Sequence, residues 1–326
     1  QRLAALLLEA DSRDFLYDGL SQIPGVLLSD DHGSTADRLV DRDLSASSTE
    51  TAILTPHTEF GDRFLIEISR GCGRSCDFCL ARQIYHPFRA RRPEMLIGRI
   101  SQVMEHTRQI GLVGASVSDY PWGAELFGPL MEMGARVSVS SVRAESVSEE
   151  LVRLLAASGQ GTLTLAPESG TEEGRLRVGK PMLDEHIFSA VRLGLAHGIA
   201  RFKLYFMVGL PGETAAEVAA IPSLVARLRA EAPGATFGLS VSPFVPRPYT
   251  PLCNAEVVLQ PELRRRMAMV GDELRRQGVT DVTLGSARWA EAQAVLGADQ
   301  NCRKHCVAAP GNELAPTGLK APLIGF

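Results

Sequence analysis

From Phe64 onward the chain alternates two hydrophobic rhythms. Short runs of apolar and small polar residues are separated by longer stretches with helical periodicity. The short runs predict strands over 64–68, 112–117, 136–140, 162–166, 202–208 and 237–242. The intervening pattern predicts helices over 94–109, 124–133, 148–157, 184–197 and 215–231, with Gly111, Gly134, Gly198 and Pro233 punctuating junctions. Alternating strand and helix calls for a parallel sheet with right-handed crossovers. Six such units are fewer than the eight that close a standard barrel. The expected architecture is therefore α/β, a partial (β/α)6 barrel that stays open.

The strands carry a second pattern. Ser138 and Ser140 share a face opposite Val137 and Val139, Thr162 and Thr164 oppose Leu163 and Leu165, and Ser240 and Ser242 oppose Leu239 and Val241. A strand buried on both faces reads as a continuous apolar run. One apolar face and one small polar face imply helices on one side and a wet or liganded lumen on the other. This makes Ser140 a lumen candidate. An antiparallel sheet with one solvent face is the alternative.

The flanks are less regular. Residues 3–8 resemble the end of a helix, 23–28 a turn and short strand, and 37–51 a linker rich in Asp, Ser, Thr and Arg. After Pro251 the pattern predicts a helix over 261–277, a strand-like 282–284, a short helix, and a loop-like tail over 301–326. The expected division is an N-terminal extension or linker at 1–58, read as the remnant after a missing upstream domain, a core at 59–252 and a C-terminal extension at 253–326.

Composition narrows the class. Of 326 residues, 45% are hydrophobic and 22% charged, a globular balance. The formal net charge of −4 excludes a global positive field for nucleic acid, though not a local basic patch. No apolar run approaches the roughly 20 residues of a spanning helix, so no membrane partner is expected. Six cysteines are far too few for a disulfide scaffold, and no signal segment opens the chain, which predicts a reducing, cytoplasmic setting.

Three of the cysteines decide the chemistry. Cys72, Cys76 and Cys79 stand in Gly71-Cys-Gly-Arg-Ser-Cys-Asp-Phe-Cys, directly after the first predicted strand. In α/β architectures the C-terminal end of a strand is the functional end. Thiolates favour zinc or iron–sulfur, and Gly71 and Gly73 let the backbone fold tightly around such a group. A structural zinc needs four ligands. Here the nearest fourth is His86 or a distant cysteine, and three buried free thiols are the remaining alternative. A [4Fe-4S] cluster on three cysteines leaves one iron open to a ligand.

This C-x3-C-x2-C spacing, with Phe78 before the last cysteine, resembles the radical S-adenosylmethionine (SAM) superfamily over roughly residues 60–252. The resemblance is to its cobalamin-associated and methylthiotransferase-like branch. It implies that the open iron chelates SAM through amino and carboxylate groups. One electron then cleaves the sulfonium to methionine and a 5′-deoxyadenosyl radical, which abstracts hydrogen from substrate. Gly111-Leu-Val-Gly114 stands where relatives carry a glycine-rich turn facing the methionine amino group, although their usual Gly-Gly-Glu is absent. Ala166-Pro-Glu168-Ser169-Gly170 resembles the ribose segment, so Glu168 and Ser169 are ribose contacts or helix caps. The segments 205–213 and 241–251 resemble the adenine segment and the end of the sixth strand, which includes Val245. Phe78 is an adenine contact or a core residue. Lys180 and Arg177 are candidates for the SAM carboxylate. Lys203, sharing a face with Tyr205 and Met207, meets that carboxylate, a substrate anion, or water at the rim. Glu213 is read as a cap of the next helix.

Other features bear on partners. Arg82, Arg89, Arg91 and Arg92 interleave with Tyr85 and Phe88. They contact RNA phosphates or an acidic substrate, or form a solvated or internally paired run, and the last is preferred. Arg264–Arg266 read as one exposed helix face. Cys302 and Cys306 with His305 fall short of a full auxiliary-cluster ligand set. Asp30-Asp-His32-Gly33 lacks the final glycine of a cobalamin signature, because Thr35 stands there. Ile23-Pro-Gly-Val resembles the segment that follows a cobalamin-binding domain, so cobalamin is expected only through a missing upstream domain. The expected substrate is a small molecule or peptide and the expected reductant flavodoxin or ferredoxin. A methylthiotransferase acting on tRNA or protein is the alternative, and a non-catalytic iron–sulfur or zinc protein the alternative of another class.

Overall fold

A computed structural model describes residues 2–28 and 38–297. Residues 1–47 and 48–326 form two compact units. In the first, α1 (Arg2–Glu9) and α2 (Arg13–Ser21) form a helical hairpin. Ser12 caps α2 by accepting from the Phe15 N–H at 3.2 Å. Residues 23–28 form no strand: Gly25, at φ +83°, closes a turn instead.

The second unit is built on parallel strands. In chain order its elements are β1 (Phe64–Glu67), β2 (Ser69–Arg70), α3 (Leu80–Tyr85), β3 (Arg89–Ala90), α4 (Pro93–Val103), β4 (Gln109–Val113), α5 (Gly123–Glu132) and β5 (Arg136–Ser138). They continue with α6 (Glu149–Ala157), β6 (Thr162–Glu168), α7 (Glu172–Arg177), α8 (Asp184–Ala196), β7 (Arg201–Val208), α9 (Ala215–Glu231), β8 (Thr236–Pro243), α10 (Gln260–Arg276), β9 (Val282–Leu284) and α11 (Ala287–Gly297). The strands order as β1-β4-β5 and β6-β7-β8-β9, all parallel, and a parallel bridge from Val142 to Leu165 joins the two sets. Every neighbour is the next large strand in the chain, the singly wound order of a barrel that has not closed. This is the α/β partial barrel the pattern predicts, and β9, the strand-like 282–284 of the C-terminal extension, joins its six strands as a seventh, parallel to β8.

The two-faced strands are borne out. Ile110, Leu112, Val137, Leu163, Leu165, Phe202, Leu204, Leu239 and Val241 are buried in one core under the helices. On the alternate face Val113, Tyr205 and Ser242 are exposed. The second large strand begins three residues before the predicted start, and the reason is Gly111. A Cβ there would lie 2.5 Å from Leu65 Cδ2, so glycine marks a close strand approach rather than a turn. Part of the predicted linker is also ordered. Thr51 N–H donates to Leu65 O and Glu67 N–H to Thr49 O, both at 2.9 Å, which covers the open edge of β1. Among the described residues, no helix is long and apolar enough to cross a membrane.

Candidate functional site

The cysteine loop leaves the C-terminal end of β1 and is closed by the antiparallel β2–β3 pair. Gly71, at φ +85°, makes the closure possible, because a Cβ there would lie 2.4 Å from Tyr85 O. Within the loop Cys76 is buried, Cys72 and Cys79 are half-buried, and all three are free thiols. The loop is stitched to the rest of the rim. Asp77 N–H donates to Val178 O at 2.9 Å, and Leu252 N–H donates to Asp77 O at 3.3 Å. Gly179, at φ +70°, lets Ser75 O approach where a Cβ would stand 2.5 Å away. Beside the loop, Gly114 leaves room for the Ser69 hydroxyl, which would be 2.7 Å from a Cβ there. That hydroxyl is buried without a hydrogen-bond partner.

Charges around the cysteines are paired. The Arg143 guanidinium reaches Cys76 Sγ at 3.8 Å and also pairs with Glu145. Burial works against the Arg143 charge, but Glu145 and the sulfur outweigh it and hold its pKa above the ordinary value. Arg74 pairs with Asp119, donating through Nε at 3.0 Å. Burial raises the Asp119 pKa, yet the bonds from Arg74, Ser146 and Ser116 bring it below the usual value. Burial pushes the Cys72 thiol up, while the Arg74 N–H and the Arg143 charge pull it down less strongly. Arg143 carried no signal in the sequence: it lies 67 residues from Cys76, and only the fold brings them together.

At the end of β6 the register slips between Leu165 and Glu168. Glu168 adopts φ +70°, a left-handed conformation that a non-glycine residue takes only under local constraint. The constraint is visible. Lys180, buried, donates to Glu168 Oε1 at 2.8 Å and to the Ala166 carbonyl. Neither Glu168 nor Ser169 caps α7. Thr171 does, accepting from Gly174 N–H at 3.0 Å. Ser169 is buried, and its carbonyl accepts from Arg175, which is fully buried, at 3.1 Å.

A cavity of about 360 Å³ opens beside this rim, lined by Phe78, Met207, Ser242, Val245, Ser286 and Trp289 among others. It brings Phe78 and Val245 together with α11 residues that carry no motif. Phe78 also packs against Val178, Leu210 and Phe244, so it is both wall and packing residue.

The remaining candidates lie elsewhere. Ser140 is exposed, two residues past the end of β5. Lys203 is five residues before the end of β7, about 16 Å along the strand at the usual rise, and lines a different cavity. Arg177 pairs with Glu217. Glu213 is not a helix cap. Thr214 caps α9, whereas the buried Glu213 carboxylate accepts from Gly209 N–H at 2.7 Å and pairs with Arg266 at 3.4 Å. Burial raises the Glu213 pKa. Arg266 is therefore not simply part of an exposed face. In the basic stretch, Arg91 pairs with Glu67 at 2.9 Å, Arg89 binds the carbonyls of Pro87 and Tyr85, and Arg92 stacks over Trp122. Cys302, His305, Cys306 and Asp30 to Thr35 lie outside the described residues.

Three thiols on one short loop are the ligand chemistry of an iron–sulfur cluster. Among the described residues no three His, Cys, Asp or Glu side chains converge on a point as a mononuclear metal demands. His86 is exposed at the end of α3. The three thiols share one glycine-cradled loop, and one of them faces the Arg143 guanidinium.

Comparison with known proteins agrees. Residues 66–225 match the model of the radical SAM superfamily. Over those residues the chain carries a radical SAM domain. An uncharacterized protein of Methanocaldococcus jannaschii is 34% identical over 222 residues, 68% of this chain and 48% of that one. The tRNA-2-methylthio-N(6)-dimethylallyladenosine synthase of a Parafrankia species is 26% identical over 251 residues, 71% and 47% of the two chains. The chain thus spans about half the length of the curated relatives it matches. Among solved structures, the radical SAM methyltransferase TsrM of Kitasatospora setae, with cobalamin and a [4Fe-4S] cluster bound, aligns at TM-score 0.47. Its identity is 19%, covering 58% of this chain and 38% of that one. Coproporphyrinogen III oxidase of Escherichia coli, also a radical SAM enzyme, aligns at 0.46 with 16% identity, covering 66% and 52%. The radical SAM match takes in the cysteine loop, β6 and β7 but stops inside α9, before β8 and α11.

Proposed function

We propose that this chain is a radical SAM enzyme whose Cys72, Cys76 and Cys79 hold a [4Fe-4S] cluster and whose C-terminal rim holds SAM beside it. The carrying observation is the convergence of three free thiols, the Glu168–Lys180 pair and the 360 Å³ cavity at one end of the strands. When bound, the cluster and SAM supply one-electron cleavage of the sulfonium, giving a 5′-deoxyadenosyl radical for hydrogen abstraction. The protein's part is placement. Arg143 steadies negative charge at Cys76. Glu168, held by Lys180, offers a carboxylate oxygen at the rim to ribose hydroxyls. Phe78 and Val245 provide apolar wall for the adenine. Gly114 lets the Ser69 hydroxyl, which has no hydrogen-bond partner, stand beside the cysteine loop for the methionine end.

The substrate in this reading is a small molecule or peptide functionalised at a C–H bond, the electron donor is a flavodoxin or ferredoxin, and the setting is cytoplasmic. Cobalamin enters only through a domain outside this chain. A second reading, tRNA methylthiolation, is supported by the likeness to the Parafrankia synthase over 71% of the chain. Anaerobic reconstitution with iron and sulfide, followed by dithionite and SAM, tests the first reading. The expected product is 5′-deoxyadenosine, and a protein that never takes up iron or sulfide refutes it. Adding tRNA tests the second by the appearance of a methylthio nucleoside.

A further inference from the structure

A second cavity, of about 430 Å³, lies at the opposite end of the same strands. Its walls begin at the first residues of three neighbouring strands, Thr162 of β6, Arg201 of β7 and Thr236 of β8. Its charged lining is Arg201, Lys203, Arg229 and Asp281, three cations against one carboxylate. Arg201 and Lys203 alternate with Phe202, which is buried under the helices, so both stand on the lumen face. Neither makes an ion pair among the described residues. The half-buried Lys203 ammonium instead lies 5.7 Å from the centre of the Tyr205 ring. Arg229 reaches across from α9 and is oriented by donating to the Gln277 carbonyl. Asp281 folds over Gly238, where a Cβ would come within 2.3 Å of its Oδ2.

A concave site with surplus positive charge, two of whose cations make no ion pair among the described residues, concentrates anions from solution. Arginine forks hold planar or tetrahedral oxyanions through paired hydrogen bonds, and lysine adds a point charge. The volume is that of a small-molecule site. We propose that this cavity binds a small ligand through a phosphate or carboxylate group held between Arg201, Lys203 and Arg229, with the Thr162 and Thr236 hydroxyls as neutral donors.

The test is calorimetric titration of the reconstituted full chain with inorganic pyrophosphate and, separately, citrate, at low ionic strength. Saturable one-site binding of at least one probe is expected, and the probe that binds tells a phosphate ligand from a carboxylate one. The Arg201→Gln/Lys203→Gln double substitution is expected to weaken that binding about tenfold or more. Asp281→Asn is expected to tighten it, a gain that misfolding cannot mimic. Cys76→Ala is expected to leave it unchanged, which separates this site from the fate of the radical SAM reading. Absence of saturable binding of both probes to the unmodified chain, or equal affinity in the double variant, overturns the proposal.

Discussion

The two ends of one set of strands handle charge in opposite ways. At the C-terminal rim three buried or half-buried cations meet an anion or a sulfur: Arg74 with Asp119, Arg143 with Glu145 and Cys76, Lys180 with Glu168. At the N-terminal rim Arg201 and Lys203 meet none among the described residues. An internally paired cation fixes the shape of a site, because its field is largely spent. An unpaired cation in a cavity keeps its field for a ligand. The first rim is organised to hold neutral or multiply charged cofactors in one pose, the second to attract an anion.

The comparison breaks most visibly at the cysteines. Cys76→Ala is expected to abolish cluster absorbance near ~400 nm and all 5′-deoxyadenosine formation. Iron retained in that variant together with SAM cleavage would show that the paired rim is not the reactive one. Next in size, Arg175→Met removes a guanidinium bonded to Met182 O at 2.7 Å, to Ser169 O at 3.1 Å and to Asp184. Urea unfolding should show a loss of about 3 kcal/mol, since buried carbonyls and a carboxylate lose their partner. A loss under ~1 kcal/mol would mean that this pairing is not what shapes the rim. Glu168→Gln is expected to raise the SAM dissociation constant about tenfold while Arg201→Gln leaves it unchanged. Equal effects would erase the division of labour. Arg143→Met should move the cluster midpoint potential more negative by roughly 50 mV in a spectroelectrochemical titration, as one positive charge and one hydrogen bond to sulfur are lost.

The smallest effect concerns pH. Burial raises the Glu67 and Asp184 pKa values, but pairing with Arg70 and Arg91, and with Arg175 and Arg227, lowers them further, so both are depressed in the folded chain. A depressed carboxyl contributes stability that is present above its unfolded pKa of about 4 and lost as pH falls through the folded value. Acid titration of thermal stability should therefore decline below pH ~4. Glu213 works in the opposite sense: raised by burial, it costs stability once ionised. A Glu213→Gln chain should lose less stability than the parent as pH rises above ~4, the unfolded carboxyl value.

Much of the frame was legible along the chain. Gly71, three cysteines and Phe78 are adjacent, so a motif of nine residues exposes the loop chemistry. The two-faced strands announced both a helical layer and an open lumen. Helix starts were less legible where several polar residues compete. Glu213, Thr214 and Glu217 all suit the start of α9, and only the capping geometry gives the role to Thr214. Lys203 was legible as a lumen residue but not as to height, because a period of two names the face and not the end.

Local spacing alone determined the strand–helix order and the cysteine triad, since both depend on residues within one or two turns of each other. Tertiary structure decided everything that rests on distant meetings. It brought Arg143 to Cys76, Lys180 to the strained Glu168 and α11 to the cavity beside Phe78, and it sent Lys203 to the opposite mouth. Such contacts join positions tens to hundreds of residues apart, and their geometry exists only once the strands stand side by side.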